Sequence, residues 1–379
     1  MRTTTRWTSL LVLLLLLTPA FGQAPLRLAF SNLTRGPLAR RPVYVTVTAQ
    51  DGAGRFLRMD RTGAFHPCLP ADNTVPRAGR LWCAYSFPLP RAVDLDGALD
   101  LRGGRIYLSI GAPLWLRVDP ATGGLVQPDP GNGEDPNRHT IFDWAEFALD
   151  RSGLHANTTC VDQFGIPLTL RARGRDGTEA GPVGLDGRRS DLMRDFKAAV
   201  PPSFRSLAQD LRITAPGHAP EGPLTRHLDA YIRDMWDRYR RQPIVLTPDE
   251  GTFTGRVEPG GVLVFTRAGD PERHLIHAMP TTLEAFRCDG PLARGTPTER
   301  VLGAQLAAML NRHVLETPLK WRDAAGYYAS GPANAYARFW HQRGLGGKAY
   351  GFPYDDVNDQ ATLIHVAEPA ELGIGFRID

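Results

Sequence analysis

Cysteine is scarce in this chain of 379 residues: there are four, Cys68, Cys83, Cys160 and Cys288. None is spaced as CxxC or as a tight Cys/His cluster, which removes the zinc-ribbon and zinc-finger classes. Long apolar runs are few as well. After residue 22 no stretch approaches ~20 apolar residues, so no membrane-spanning helix is expected in a mature chain. Basic blocks are missing too: the cations are mostly arginines standing singly beside Asp and Glu, with no Lys/Arg run interleaved with aromatics. That pattern argues against a nucleic-acid partner. Nucleophile elbows (GxSxG), phosphate loops (GxxxxGK before Ser or Thr) and HExxH do not occur.

Weaker signatures also fall away. His274 and His277 stand three apart in RHLIH without a nearby third ligand, and Asp94, Asp96 and Asp100 in DLDGALD lack the rest of an EF-hand loop. Neither group is expected to hold a metal. Gly344, Gly346 and Ala349 in GLGGKAYG match a dinucleotide fingerprint in spacing, but a helical pattern precedes them and Pro353 follows, not strand, turn, helix. No cofactor is expected.

What is present is an ordinary globular balance, 42% hydrophobic and 22% charged, enough for two domains with cores. Residues 1–22 read as a secretory signal: Arg2 and Arg6 form a positive n-region, Leu10 to Leu17 an apolar h-region, and Ala20-Phe21-Gly22 a small-x-small cleavage site. The expected product is a secreted or periplasmic monomer. Losing those two arginines takes the formal net charge from +4 to +2, which favours neutral or weakly charged substrates. In an oxidising compartment four cysteines allow three disulfide connectivities, of which Cys68–Cys83 with Cys160–Cys288 is preferred. Asn32-Leu-Thr and Asn157-Thr-Thr fit the glycosylation sequon.

From about residue 25 to 179 the pattern is β. PVYVTVTA, RIYLSI and LWLRV alternate, and turn clusters such as DPATGG and DPGNGEDPN separate the runs, which points to a sandwich or barrel. After GRDGTEAGPVGLDGRR the period becomes helical. Leu224, Leu228, Tyr231, Met235, Trp236 and Tyr239 make one stripe; Val301, Leu302, Leu306, Met309, Leu310 and Val314 make another. With PIVLT and GGVLVFT as strands between them, residues 180–344 read as a mixed α/β unit. Residues 345–379 return to β, in ATLIHVA and LGIGFRI. A final strand of that kind most simply rejoins the first domain, making the α/β unit an insertion, with a cleft between the two.

The stretch DWAEFALDRSGLHANTTCVDQFGIPL carries the chemistry. Glu146 is in phase with Phe142 and Trp144, and a carboxyl on that face costs free energy unless it is hydrogen-bonded, hydrated in a cleft or neutral. A general acid fits such a place, and so does a solvated outer face. Asp162, sixteen positions on, is a candidate partner, because glycosidic hydrolysis uses two carboxyls. A tight turn at DRSG sets Glu146 opposite Asn157. Regular extension of that hairpin then leaves Asp162 roughly 16 Å away on the opposite face, so a bulge, twist or other pairing must intervene.

FDWAEFALD followed by GLHANTTCVDQFGIPLTL resembles the catalytic hairpin of glycoside hydrolase family 64, the thaumatin-like endo-β-1,3-glucanases that release laminaripentaose. GGRIYLSIGAPLWL, LVQPDP, LDAYIRDMW, LNRHVL and YYASGPANAYARFWHQRGLGGKAYGFPYDDV resemble family segments in the same order. The resemblance implies a mainly β, α+β protein. A thaumatin-like sandwich or barrel domain and an inserted α/β domain flank a wide cleft that binds β-1,3-glucan. It also implies an inverting mechanism with Glu146 as general acid and Asp162 as general base. Trp144 is a candidate for stacking on a sugar, Asn157 and Thr159 for hydrogen bonds to its hydroxyls, and Tyr354, Asp355 and Asp356 for lining the cleft. Ala148, Asp150 and Cys160 depart from the family pattern, which bears on subsites and product length. A non-catalytic β-glucan-binding protein on the same scaffold is the alternative.

Overall fold

The alternating segments pair into two facing sheets. In the computed structural model residues 25–95 and 100–379 are described; the expected signal segment 1–22 and Asp96 lie outside them. One sheet has five strands in the order Glu179–Gly184, Leu168–Gly174, Pro369–Phe376, Leu26–Asn32, Ala92–Leu95. The other runs Ile364–Val366, Gly153–Thr158, Ile141–Asp150, Leu101–Ile110, Val43–Gln50, Phe56–Met59, Phe65–Pro67, with Phe87–Pro88 pairing beside Val43–Gln50. Leu28, Leu170 and Ile374 from the first sheet meet Val47, Leu108 and Phe147 from the second in one apolar core, the packing of a sandwich.

The last strand lies parallel to the first, Leu26–Asn32, and antiparallel to Leu168–Gly174, so it returns to the middle of the five-stranded sheet. The sheet also claims Glu179–Gly184, inside the glycine-rich stretch read from sequence as the start of the α/β part. Gly181 (φ 92°) and Gly184 (φ 103°) permit this. A Cβ on them would fall 2.5 Å from the Leu170 carbonyl oxygen and 2.2 Å from that of Leu168, so only glycine lets the edge strand approach there.

A second core gathers the helices Arg189–Ala199, Asp229–Arg241, Pro297–Arg312 and Ala335–Arg343 around a meander of Ile244–Leu246, Phe253–Val257, Leu263–Arg267 and Asp270–Ile276. Tyr231, Ile232, Met235, Trp236 and Tyr239 form the buried stripe of one helix. Leu224 and Leu228, expected on it, lie just ahead of it and are also buried. Pro297–Arg312 starts at a reciprocal cap: Thr296 Oγ1 accepts from the Glu299 amide at 3.3 Å, and Glu299 Oε2 accepts from the Thr296 amide at 2.7 Å. The helix stops at His313, which turns left-handed (φ 54°), leaving Val314 beyond its end.

The expected disulfides are not formed. All four cysteines are buried free thiols. Cys83 Sγ donates to Asn73 Oδ1 at 3.1 Å, and burial pushes the thiols of Cys68 and Cys288 up to about 12. A thiol held neutral in this way packs as a small hydrophobe.

Candidate active site

Along Ile141–Asp150, Ala145, Phe147 and Leu149 point into the sandwich core. Phe142 and Trp144 face the other way, beneath a smaller cluster with Cys83, Tyr107, Leu114 and Leu116. That cover ends at Glu146, whose side chain is 31% exposed. The strand thus carries a carboxylate where its outer face emerges from under apolar neighbours.

Register supplies the partners of Glu146. It stands opposite Arg105 on one side and Asn157 on the other, the second as the DRSG turn predicts. Arg105 Nε is 3.5 Å from Glu146 Oε1, and Trp144 Nε1 donates to the same oxygen at 3.3 Å. Asn157 Nδ2 donates to Oε2 at 3.3 Å. Arg105 is itself steadied over the Trp144 ring, 5.1 Å from its centroid, and donates to Gln127 Oε1 at 2.9 Å. The Tyr107 hydroxyl donates to that same Gln127 oxygen.

Asp162 reaches its place by leaving the hairpin. Gly153–Thr158 ends, the chain bends through 159–162, and Gln163–Phe164 pairs with Ile213–Thr214, far away in sequence. The Ala215 amide donates to the Asp162 carbonyl at 2.9 Å, and the turn Pro216–His218 sets His218 Nε2 3.0 Å from Asp162 Oδ1. The far side is tied to the Glu146 strand: Gln163 Nε2 donates to the Phe142 carbonyl at 2.7 Å, and the Gly165 and Ile166 amides donate to Asp143 Oδ2 at 2.7 and 3.0 Å. A Cβ at Gly165 would lie 2.1 Å from the Phe142 oxygen, so this approach requires glycine. Extrapolating a regular hairpin therefore misplaces Asp162, because the strand has already ended. Burial raises the Asp143 carboxyl to about 7, against the pull of the Gly165, Ile166 and Trp144 amides and of Arg212.

Asn157 comes to Glu146 as described; Trp144, Thr159 and Asp355 are buried. Trp144 is 2% exposed, so its face packs in the core and only its indole N–H serves the site. Thr159 is 5% exposed, and its hydroxyl accepts from the Val161 amide at 3.1 Å, a local turn contact. Asp355 is fully buried and bound by Arg312 and His341 at 2.8 Å each, which removes it from any cleft lining. Tyr354 and Asp356 are exposed, Tyr354 in the left-handed region (φ 65°). Asp356 is nevertheless crowded by protein, which raises its pKa. Burial also raises the Tyr350 hydroxyl, with Asp356, Glu146 and Asp355 adding to the effect, and the Cys160 amide donates to the Tyr350 carbonyl at 2.8 Å, which ties this segment to the bend before Asp162.

Arg105 and Tyr107 link the two carboxylates electrostatically. Burial works against the Arg105 charge, but Tyr107, Glu146 and Asp162 together raise its pKa. Tyr107 is pushed up to about 12 by burial, with Arg105 opposing and both Glu146 and Asp162 adding. Beside them opens a cavity of about 400 Å³ lined by Arg105, Gln127, Glu146, Ala148, His155 and Asn157 among others; Asp162 is not in its wall. A larger cavity of about 470 Å³, near Arg205, His227 and Arg338, has no carboxylate in its lining. Arg105 and Tyr107 were readable in principle, since RIYLSI alternates and both fall on one face. His218 and Asp143 gave no such signal: one lies 56 residues from its partner, and the other faces away from Glu146.

The chain matches the family model described as Beta-1,3-glucanase, glycoside hydrolase family 64, over residues 24–376. It is 30% identical over 348 residues to a glucan endo-1,3-beta-glucosidase of Cellulosimicrobium cellulans, covering 87% of this chain and 62% of that protein; the chain thus spans about three-fifths of that relative. The crystal structure of a beta-1,3-glucanase domain from Clostridium beijerinckii superposes with a TM-score of 0.84 at 32% identity, covering 93% of this chain and 98% of that one. A laminaripentaose-producing beta-1,3-glucanase from Paenibacillus barengoltzii, complexed with laminarihexaose, superposes with a TM-score of 0.72 at 26% identity, covering 93% and 75%.

Proposed function

The chain belongs to the β-1,3-glucanases of glycoside hydrolase family 64, and from that premise we propose that it is an inverting endo-β-1,3-glucanase with Glu146 as general acid and Asp162 as general base. The observation that supports this reading most is Glu146 in the wall of an open cavity, contacted by Arg105, Trp144 and Asn157, with Asp162, half-exposed on a separate bend, acting with it on the charges of Arg105 and Tyr107. In the proposed reaction Glu146 gives its proton to the glycosidic oxygen as the C1–O bond breaks. Asp162 takes a proton from a water whose oxygen bonds C1 on the opposite face, so the new hemiacetal has inverted configuration. Proton exchange with solvent resets both groups. Inversion calls for carboxyls ~6.5–9.5 Å apart with that water between them.

The proposed substrate is a β-1,3-glucan chain, a class supported by the laminarihexaose complex of the Paenibacillus relative, and its proposed place is the cavity that Glu146 and Asn157 line. Ala148, where the chain departs from the family pattern, lines that cavity and is expected to bear on product length. The same reading takes the sandwich as thaumatin-like, with its first part, expected to end at 179, extended to Gly184 by the edge strand, residues 345–379 returning to it and 185–344 as the insertion, and the protein as an exported monomer with residues 1–22 as its signal.

The test is release of reducing sugar from insoluble β-1,3-glucan by the mature protein and by Glu146→Gln, with pulldown on the same glucan as a binding control. The expected result is hydrolysis by the first, and binding with ~10²–10⁴-fold lower activity by the second. NMR of the fresh product should then show the α anomer. Binding without hydrolysis by either protein would replace the enzyme with a glucan-binding module.

A further inference from the structure

We propose that His218 is a positioning residue for Asp162, holding one carboxylate oxygen so that the other faces the attacking water. The inference rests on Asp162 being the general base. The contact is His218 Nε2 to Asp162 Oδ1 at 3.0 Å. No other side chain hydrogen-bonds or pairs with the Asp162 carboxylate among the described residues, so Oδ2 is left for a proton from water. A base on a bend has no strand register to aim it; something else must fix its rotamer.

His218 is built to do that, because it is itself immobilised from several sides. Its own amide donates to the Ala215 carbonyl at 3.0 Å, and Ala215 donates to the Asp162 carbonyl at 2.9 Å, so histidine and aspartate share one backbone frame. Arg287, at the end of the helix Thr282–Arg287, donates to the Gly217 carbonyl and pins the turn from behind. On the outer side the loop after Asp129 closes over the ring: a Cβ at Gly131 would lie 2.5 Å from His218 Nδ1. That loop thus packs against one side of the ring. An ordinary surface ion pair of partly exposed groups contributes little to stability and needs no such clamp. Pre-organised aim of a reacting group is worth far more, since a misplacement of about 1 Å can cost ~10²-fold in rate.

The experiment measures kcat and KM on a soluble β-1,3-glucan for the full-length mature protein and for His218→Ala, His218→Phe, His218→Gln, Asp162→Asn and the double variant Asp162→Asn with His218→Ala. Thermal melts of each check the fold. The expectation is a ~10–100-fold fall in kcat for Ala and for Phe, with KM within about 2-fold. Gln should recover to within about 3-fold of wild type, because its side-chain amide can donate where Nε2 did. A purely structural role would instead favour Phe, which keeps the ring volume, over Gln. In the double variant the histidine loss should add nothing to that of Asp162→Asn. Wild-type kcat in His218→Phe, failure of Gln to recover, or multiplying losses in the double variant would overturn the inference. Wild-type kcat in Asp162→Asn would bring down the base assignment together with it, whereas an inactive Asp162→Asn beside an unaffected His218→Phe sinks the inference alone.

Discussion

Two aspartate–histidine pairs in this molecule have nearly the same geometry and different surroundings. Asp162 and His218 meet at 3.0 Å with side chains 33% and 26% exposed; Asp355 and His341 meet at 2.8 Å at 0% and 11%. Around Asp355 both carboxylate oxygens are engaged: Arg312 holds Oδ1, and His341 with the Gly351 amide, 2.9 Å away, holds Oδ2. That aspartate stitches the tail segment to the helices Pro297–Arg312 and Ala335–Arg343. Asp162 keeps an oxygen open to solvent. The difference teaches that, of two pairs alike in identity, only Asp162–His218 keeps the spare hydrogen-bonding capacity and access to water that the proposed base needs.

The comparison can be broken by paired substitutions. Asp162→Asn is expected to lower kcat ~10²–10⁴-fold while changing unfolding free energy by no more than about 1 kcal/mol, measured by initial rates and urea melts. Asp355→Asn should do the reverse. It leaves the fully buried Arg312 charge without its counter-ion, at about 3–5 kcal/mol of stability in the same melts, with kcat per folded molecule kept within a few-fold. Equal effects of the two substitutions on both quantities would dissolve the distinction.

A third carboxylate sharpens it, with a smaller effect. Asp143 is buried with no charged group in contact among the described residues, and its pKa stands at about 7 against the ordinary 3.8. The folded state therefore holds its proton more tightly than the unfolded chain. Its contribution to stability is fully present below about pH 4 and is lost as pH rises towards about 7, by on the order of a few kcal/mol at most. Asp143→Asn has no such proton to lose, so the stability difference between variant and wild type should shift in the variant's favour across pH 4 to 7. Parallel curves would show that the three amides aimed at Asp143 stabilise its charge as well as its proton.

These contrasts also explain what could be read beforehand. The β–α/β–β order, the hairpin and the Glu146–Asn157 pairing all follow from local periodicity and a two-residue turn. Asp162 was recognisable by family resemblance, yet its position was not derivable, because its neighbours arrive from residues 213–218 in a stretch, ITAPGH, with no period to read. Trp144, Thr159 and Asp355 looked like sugar contacts since polar and aromatic residues near a catalytic motif favour that reading, and only burial separates a contact from a support. The cysteines misled for a related reason: an even count says nothing about whether thiols meet.

The pairing of Leu26–Asn32 with Pro369–Phe376 bears on biosynthesis. The strand Pro369–Phe376 fills the middle of its sheet, with Leu26–Asn32 on one side and Leu168–Gly174 on the other, so a nascent chain cannot close the sandwich until that strand has emerged, more than 300 residues after its partner. Such a sequence separation makes closure slow and keeps strand edges uncovered meanwhile. Fragments that stop before Pro369 should accordingly be caught by chaperones or proteases, even though the helical core is already synthesised by then.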